Sequence, residues 1–263
     1  YSKLGLSVLL VCFPKIKSVI ERENRFYQKL LASLKPNERL VFDIGANVGW
    51  LTSLFLKEEM SVIAVEPDKC CHRILKTRFG NNPRFILKKV AVGDTEERQK
   101  FHVIQDGSAL NTLSEKWKEI LASGVFRKAE IFTVEYDVEI TTLDKLIDEY
   151  GVPALVKIDT EGYELKVLEG LSQRLPLLVF EANLPAFYEE TKMAVERLKQ
   201  LDANICLNYA HNFKLCLVNY VGASEFSDLL EKIPFSSIDI VCRMSNYSDY
   251  YFLSNEKSQH CPD

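Results

Sequence analysis

Apolar and polar positions along the chain fall into two alternating rhythms. Short unbroken apolar runs, each ending at an acid or a glycine, predict buried strands over 39–44, 61–66, 85–92, 154–159 and 176–180. Between and after them, apolar residues recur at helical steps. This predicts helices over about 49–58 and 69–78, from Thr160-Glu161-Gly162-Tyr163-Glu164 onward, and over 188–201, where Met193, Leu198 and Leu201 mark the period. Regular βαβαβ spacing predicts an open, parallel, doubly wound α/β sheet. The alternation is interrupted after Asp94. A weakly alternating stretch at 100–105, a small-residue loop at 106–114 and a β-rich run at 131–141 predict an antiparallel insertion over 100–141. Thr142 caps a short helix that Gly151-Val152-Pro153 stops. Further strands are expected around 205–207, 214–218 and 237–241, before a polar tail.

Upstream, Ile16, Val19, Ile20, Tyr27, Leu30, Leu31 and Leu34 predict an amphipathic helix over 15–34 that covers one edge or the mouth of the main domain. The expected organisation is an N-terminal helical arm, 1–37, followed by one domain, 38–263. Leu4 to Phe13 is apolar but too short to cross a bilayer, and reads as a packing or membrane-contacting segment.

Composition adds limits. The formal net charge of -4 argues against nucleic-acid binding by bulk charge. Seven cysteines without a Cys-x-x-Cys pair fit reduced thiols in a cytoplasmic protein better than disulfides or a zinc site.

The chemistry concentrates where strands end. Asp43-Ile44-Gly45-Ala46-Asn47-Val48-Gly49 is a strand, a tight glycine turn and a helix start, the nucleotide-binding unit of an open α/β sheet. A dinucleotide site requires Gly-x-Gly-x-x-Gly, whereas here Asn47 stands at the middle position and an acid precedes the turn. A carboxylate there disfavours a pyrophosphate and suits an amine or sulfonium. Glu66 ends the second strand, where an acid reaches ribose hydroxyls. Asp159, Glu161 and Glu164 cluster at the end of the fourth strand, across the crevice from the first loop. Carboxylates at that place suit a hydroxyl acceptor, which they can hydrogen-bond and deprotonate. Ser108 and Asn111 are candidates to line the site from the insertion, although an ordinary loop is the expected reading there. Among the histidines, His211 is placed in a loop that can approach the site, but it is expected at the surface. Asp159, Glu161 and Glu181 have ligand chemistry for Mg²⁺, but no metal is expected.

With these motifs, Ala91-Val92-Gly93-Asp94 and Thr141-Thr142-Leu143-Asp144 in this order, the chain resembles the FkbM family of methyltransferases over roughly 38–185. The resemblance implies a Rossmann-like class I methyltransferase fold. This has a mostly parallel seven-stranded sheet, helices on both faces, and a β insertion between strands three and four. It implies S-adenosyl-L-methionine as cofactor and a hydroxyl of a sugar, glycan or polyketide-type small molecule as acceptor. It further implies that Asp43, Gly45, Asn47 and Gly49 hold the amino-acid end of the cofactor. Glu66, with Pro67 beside it, would hold the ribose. Val90 and Ala91 would border the adenine, with Asp94 nearby. Asp159 would face the amine or the acceptor, and Glu161 would act as general base. Two alternatives stand beside it: an NAD(P)-dependent oxidoreductase, which keeps Glu66 but must explain the missing glycines, and a non-catalytic interaction module that retains the fold.

Overall fold

The computed structural model describes residues 14–35, 37–124, 132 and 134–244. The apolar segment 4–13 and the polar tail lie outside the described residues.

Five strands form the parallel part of the main sheet: β1 (Leu40–Ile44), β2 (Ser61–Val65), β3 (Phe85–Lys88), β7 (Leu155–Ile158) and β8 (Leu177–Asn183). They lie in the order β3-β2-β1-β7-β8, so the chain reverses its winding direction between β1 and β7. The sheet continues antiparallel through β12 (Ser237–Arg243) and β9 (Cys206–His211). Two two-residue strands, β10 (Lys214–Leu215) and β11 (Val221–Gly222), pair with β9 and bring the sheet to nine strands rather than the expected seven. β10 falls within the strand expected at 214–218, whereas β11 is too short to show as a pattern in sequence.

The parallel strands are apolar throughout because both faces are covered. Val41, Val62, Leu155 and Val179 pack to one side, with Leu51, Leu54 and Phe55 of α2 (Trp50–Lys57) and Leu75 of α3 (Lys69–Phe79). Phe42, Ile63, Val156 and Phe180 pack to the other, with α5 (Leu143–Tyr150), α6 (Glu164–Glu169), α7 (Tyr188–Leu201) and α8 (Ala223–Leu230). The helix α8 was not anticipated. Met193 is more than half exposed, and the buried face of α7 is the expected Leu198 together with Thr191, Ala194 and Val195.

The N-terminal helix α1 (Pro14–Ala32) joins the first of these cores through Phe26, Tyr27 and Leu30. The Tyr27 ring meets Phe55 edge-on at 5.6 Å, and Phe26 lies 6.4 Å from Phe213.

The expected strand 85–92 divides. β3 stays in the main sheet, while β4 (Ala91–Val92) leaves it to pair with β6 (Val134–Thr141). β6 pairs antiparallel with β5 (Arg98–Val103), and the three strands form a separate small sheet. The insertion also contains a helix, α4 (Glu115–Ser123), capped by the Ser114 hydroxyl on the Trp117 N–H. The sequence carried its signal, a capping serine before Trp117 and Leu121 at helical spacing. No helix among the described residues is long and apolar enough to cross a membrane.

Candidate active site

The loops after β1, β2 and β7 converge at the C-terminal edge of the parallel strands, beside the winding reversal. This is where open α/β sheets bind ligands. The β1 loop is held in left-handed backbone at Gly45 (φ +75°), Asn47 (φ +48°) and Gly49 (φ +80°). Gly45 is dictated by close approach as well: a Cβ there would stand 1.8 Å from the Asp159 carbonyl oxygen. Two strand-end loops therefore touch backbone to backbone, a contact that only glycine permits.

Together these loops and the insertion line a cleft. Of the residues singled out in sequence, Gly45, Asn47, Glu66, Pro67, Val90, Ala91, Asp159 and Glu161 line it, as do Ser108 and Asn111. Phe101, Leu113 and Thr160, which sequence reasoning passed over, also line it. Ser108, Asn111 and Leu113 arrive through one anchor. Asp68, 3% exposed, caps α3 by accepting from Cys70 and Cys71 N–H. Its second oxygen accepts from Gly107 N–H at 3.1 Å and from Asn111 Nδ2 at 2.8 Å. This carboxylate fixes the insertion loop over the cleft. Its position, an acid opening a helix, reads in sequence only as a cap.

Three of the expected residues lie off the cleft wall. Asp43 is buried beneath it, at 1% exposure, where it accepts from the Thr52 hydroxyl at 2.5 Å and lies 3.9 Å from Lys157 Nζ. Lys157 bridges from there to the Gly45 carbonyl (3.3 Å) and Asp159 (3.1 Å). Gly49 packs against Leu75 and Phe79 at the start of α2. Asp94 is drawn away by Lys166 at 2.8 Å, which also holds its carboxyl below the usual range.

Glu66 does more than end a strand. One oxygen accepts from Asn47 N–H and the other from Asp68 N–H, each at 2.7 Å, so it ties the β1 loop to the β2 loop. Burial pushes its carboxyl up to about 7 even against those two donors. Glu164 has a comparable role in the β7 loop. Its carboxylate accepts from Thr160 N–H and hydroxyl and from Gly162 N–H, closing the turn that holds Glu161 at φ +56°. Burial raises it to about 7.

Carboxylate oxygens of Asp159, Glu161 and Glu181 lie within 4.8 Å of one another. Burial, with Asp159 and Glu181 close by, raises the Glu161 carboxyl well above its usual range. Burial and Asp159 likewise push Glu181 up to about 8. Burial and crowding of like charges raise proton affinity, so Glu161 or Glu181, when ionised, is a strong proton acceptor.

His211 ends β9 rather than sitting in a loop, and stacks on Phe235 with ring centres 3.8 Å apart. His102 is buried between Glu115 (2.7 Å) and Glu135 (2.9 Å) in the insertion, and His72 Nε2 meets the Glu66 carbonyl at 2.5 Å.

The donor and acceptor pattern fits S-adenosylmethionine. The buried Asp43 Oδ1 has no hydrogen-bond partner, and the wall above it carries Asp159, Glu161 and Glu66, acids suited to a cationic ligand with ribose hydroxyls. Among the described residues that line the cleft there is no lysine or arginine to meet a pyrophosphate.

Solved structures with a similar trace include the precorrin-6y C5,15-methyltransferase from Geobacter metallireducens. It is 12% identical over 82% of this chain and 84% of that one, with a TM-score of 0.42. The plantazolicin methyltransferase BpumL in complex with SAH is 8% identical over 93% and 92%, at a TM-score of 0.40. A putative caffeoyl-CoA O-methyltransferase from Staphylococcus aureus is 9% identical over 92% and 93%, at 0.39. No curated protein matches the sequence at a significant level. The Methyltransferase FkbM domain, in contrast, matches residues 43–215, which run from the acid of the β1 turn through the β7 cluster to β10. The chain is a member of the FkbM family of S-adenosylmethionine-dependent methyltransferases.

Proposed function

We propose that the chain methylates a hydroxyl of a small molecule of the sugar, glycan or polyketide type, with residues 38–263 as the catalytic domain and 1–37 as an arm upon it. The observation that carries this reading is the cluster of Asp159, Glu161 and Glu181 at the edge of the cleft. A hydroxyl needs a proton acceptor as it becomes an ether oxygen, and these carboxylates are the titratable groups gathered there.

S-adenosylmethionine supplies an electrophilic methyl on sulfur. Gly45 and Asn47 hold its amino-acid end against the β1 loop. Asp43 acts from below by fixing Lys157 and Thr52, and Gly49 by setting the start of α2. Glu66 and Pro67 border the ribose, and Val90 and Ala91 the adenine, with Ser108, Asn111 and Leu113 excluding water from above. Asp159 faces the cofactor's amine and the acceptor. Once bound, the cofactor would give its methyl to the acceptor oxygen and leave as the thioether S-adenosylhomocysteine, with the S–CH3 bonding pair kept on sulfur; Glu161 or its partners in the cluster would take the hydroxyl proton. Alignment of the two reactants supplies much of the acceleration.

The test is methyl transfer from labelled S-adenosylmethionine to a panel of hydroxylated acceptors, with the product bond identified as O- or N-linked. Glu161→Gln is expected to lower kcat by about a hundredfold or more, within the usual range for loss of a general base, with S-adenosylhomocysteine affinity unchanged. N-methylated products, or full activity in Glu161→Gln, overturn the assignment. S-adenosylhomocysteine binding without NAD binding separates it from the oxidoreductase and from the non-catalytic module.

A further inference from the structure

A second cavity lies on the other side of Asp159. Asp159 lines both spaces, so a molecule in the second meets the cofactor cleft at that side chain. Its walls combine apolar surface from Ala210, Phe213 and Ile238 with an excess of acid: Glu23, Asp159, Glu181 and Asp239. Lys157 is the only lysine or arginine among the described residues of that wall, and it is already engaged by Asp159 and Asp43. Tyr27 also lines the cavity. Its side chain is 2% exposed, and its hydroxyl has no hydrogen-bond partner among the described residues.

We propose that this cavity is the acceptor site and that its ligand is a hydroxylated molecule carrying a protonated amine, held by Glu23 and Asp239 with the Tyr27 hydroxyl as a further polar contact. This rests on the cofactor reading of the first cleft. Three considerations support it. Carboxylates withdrawn from water and set near one another are stable as charges only beside a cation, and an ammonium supplies one. Accordingly, burial pushes Glu23 and Asp239 up to about 7. A buried tyrosine hydroxyl ordinarily finds a partner, and here the space in front of it is the cavity itself. Finally, Glu23, Tyr27 and Asp239 lie outside the stretch that matches the family, 43–215, so the selectivity is written in this chain's own arm and last strand. The same acids keep the amine protonated and therefore non-nucleophilic, which leaves the neighbouring hydroxyl to take the methyl group.

The experiment uses the full chain. Binding of S-adenosylhomocysteine is measured first by calorimetry. The saturated complex is then titrated with glucosamine, glucose, N-acetylglucosamine and glucose 6-phosphate. Glucosamine is expected to bind about tenfold more tightly than glucose or N-acetylglucosamine, the ratio one charge-assisted contact supplies, and glucose 6-phosphate most weakly. Glu23→Gln and Asp239→Asn should each remove most of that preference while S-adenosylhomocysteine affinity and glucose affinity hold. Tyr27→Phe should weaken every sugar alike. No preference for the amine, a preference for the phosphate, no binding by any of the four, or a preference that survives both acid substitutions overturns the proposal. S-adenosylhomocysteine binding alongside any of these results leaves the cofactor reading standing. Its failure to bind overturns both.

Discussion

Gly45→Ala tests the backbone contact on which the cleft is built. An alanine Cβ at this position falls 1.8 Å from the Asp159 carbonyl oxygen and 2.9 Å from its carbon. Carbon–oxygen contacts between non-bonded atoms close to about 3.3 Å. The ends of β1 and β7 must therefore separate by more than an ångström. That movement breaks the Asp159 N–H bond to the Ile44 carbonyl (3.1 Å) and disturbs that from Gly45 N–H to Val65 (2.9 Å). Each is worth about 1 kcal/mol. A Cβ at φ +75° adds about 1 kcal/mol of strain. Gly107 provides the control. Its φ is +74°, but the nearest atoms to an added Cβ are the Cys70 and Cys71 sulfurs at 3.8 and 3.9 Å, an ordinary contact. Urea unfolding should show Gly107→Ala losing about 1 kcal/mol and Gly45→Ala about 3–4 kcal/mol. Calorimetry should find S-adenosylhomocysteine binding lost only in the latter. Equal losses in the two variants, or undiminished binding by Gly45→Ala, would refute the claim that this approach of two loops shapes the cleft.

Three other outcomes follow from buried charge. Lys157→Met leaves Asp43 buried beside Asp159 without its cation, and unfolding should register a loss of about 3 kcal/mol or more. Stability should also fall as pH rises. Glu66 and Glu164, both under a tenth exposed, are raised to about 7 from an unfolded value near 4.5. The folded state thus binds more protons than the unfolded one between those values. The slope there is negative, and stability should drop from pH 5 to pH 8 by an amount on the order of 1–3 kcal/mol per group. Denaturation at a series of pH values checks this, and a flat or rising profile contradicts it. Asp68→Ala removes the cap of α3 and the anchor of the insertion loop together. A loss of about 2 kcal/mol, with a weaker hold on S-adenosylhomocysteine, is expected from urea unfolding and calorimetry, since Ser108 and Asn111 then lose their support.

The architecture was legible in the sequence because burial on both faces of a parallel sheet leaves an unbroken apolar run, and covering helices leave a period near 3.6. Glycine spacing and the acids at strand ends were legible too, since they answer to local geometry: a left-handed turn at Gly45 and Gly49, and a strand that stops at Glu66. Three features were not. The strand at 85–92 reads as continuous, yet β4 parts from β3 because its partner is β6, more than forty residues later. Asp43 reads as a ligand residue, but its depth below the cleft and its tie to Lys157 depend on two strands lying side by side. Glu23 and Asp239 carry no motif at all. The sequence determined the strands and helices of the parallel core, and where a methyl donor's chemistry concentrates. Tertiary structure alone decided which acids share a wall, because α1, β7, β8 and β12 bring Glu23, Asp159, Glu181 and Asp239 to one cavity from positions that no local rule connects.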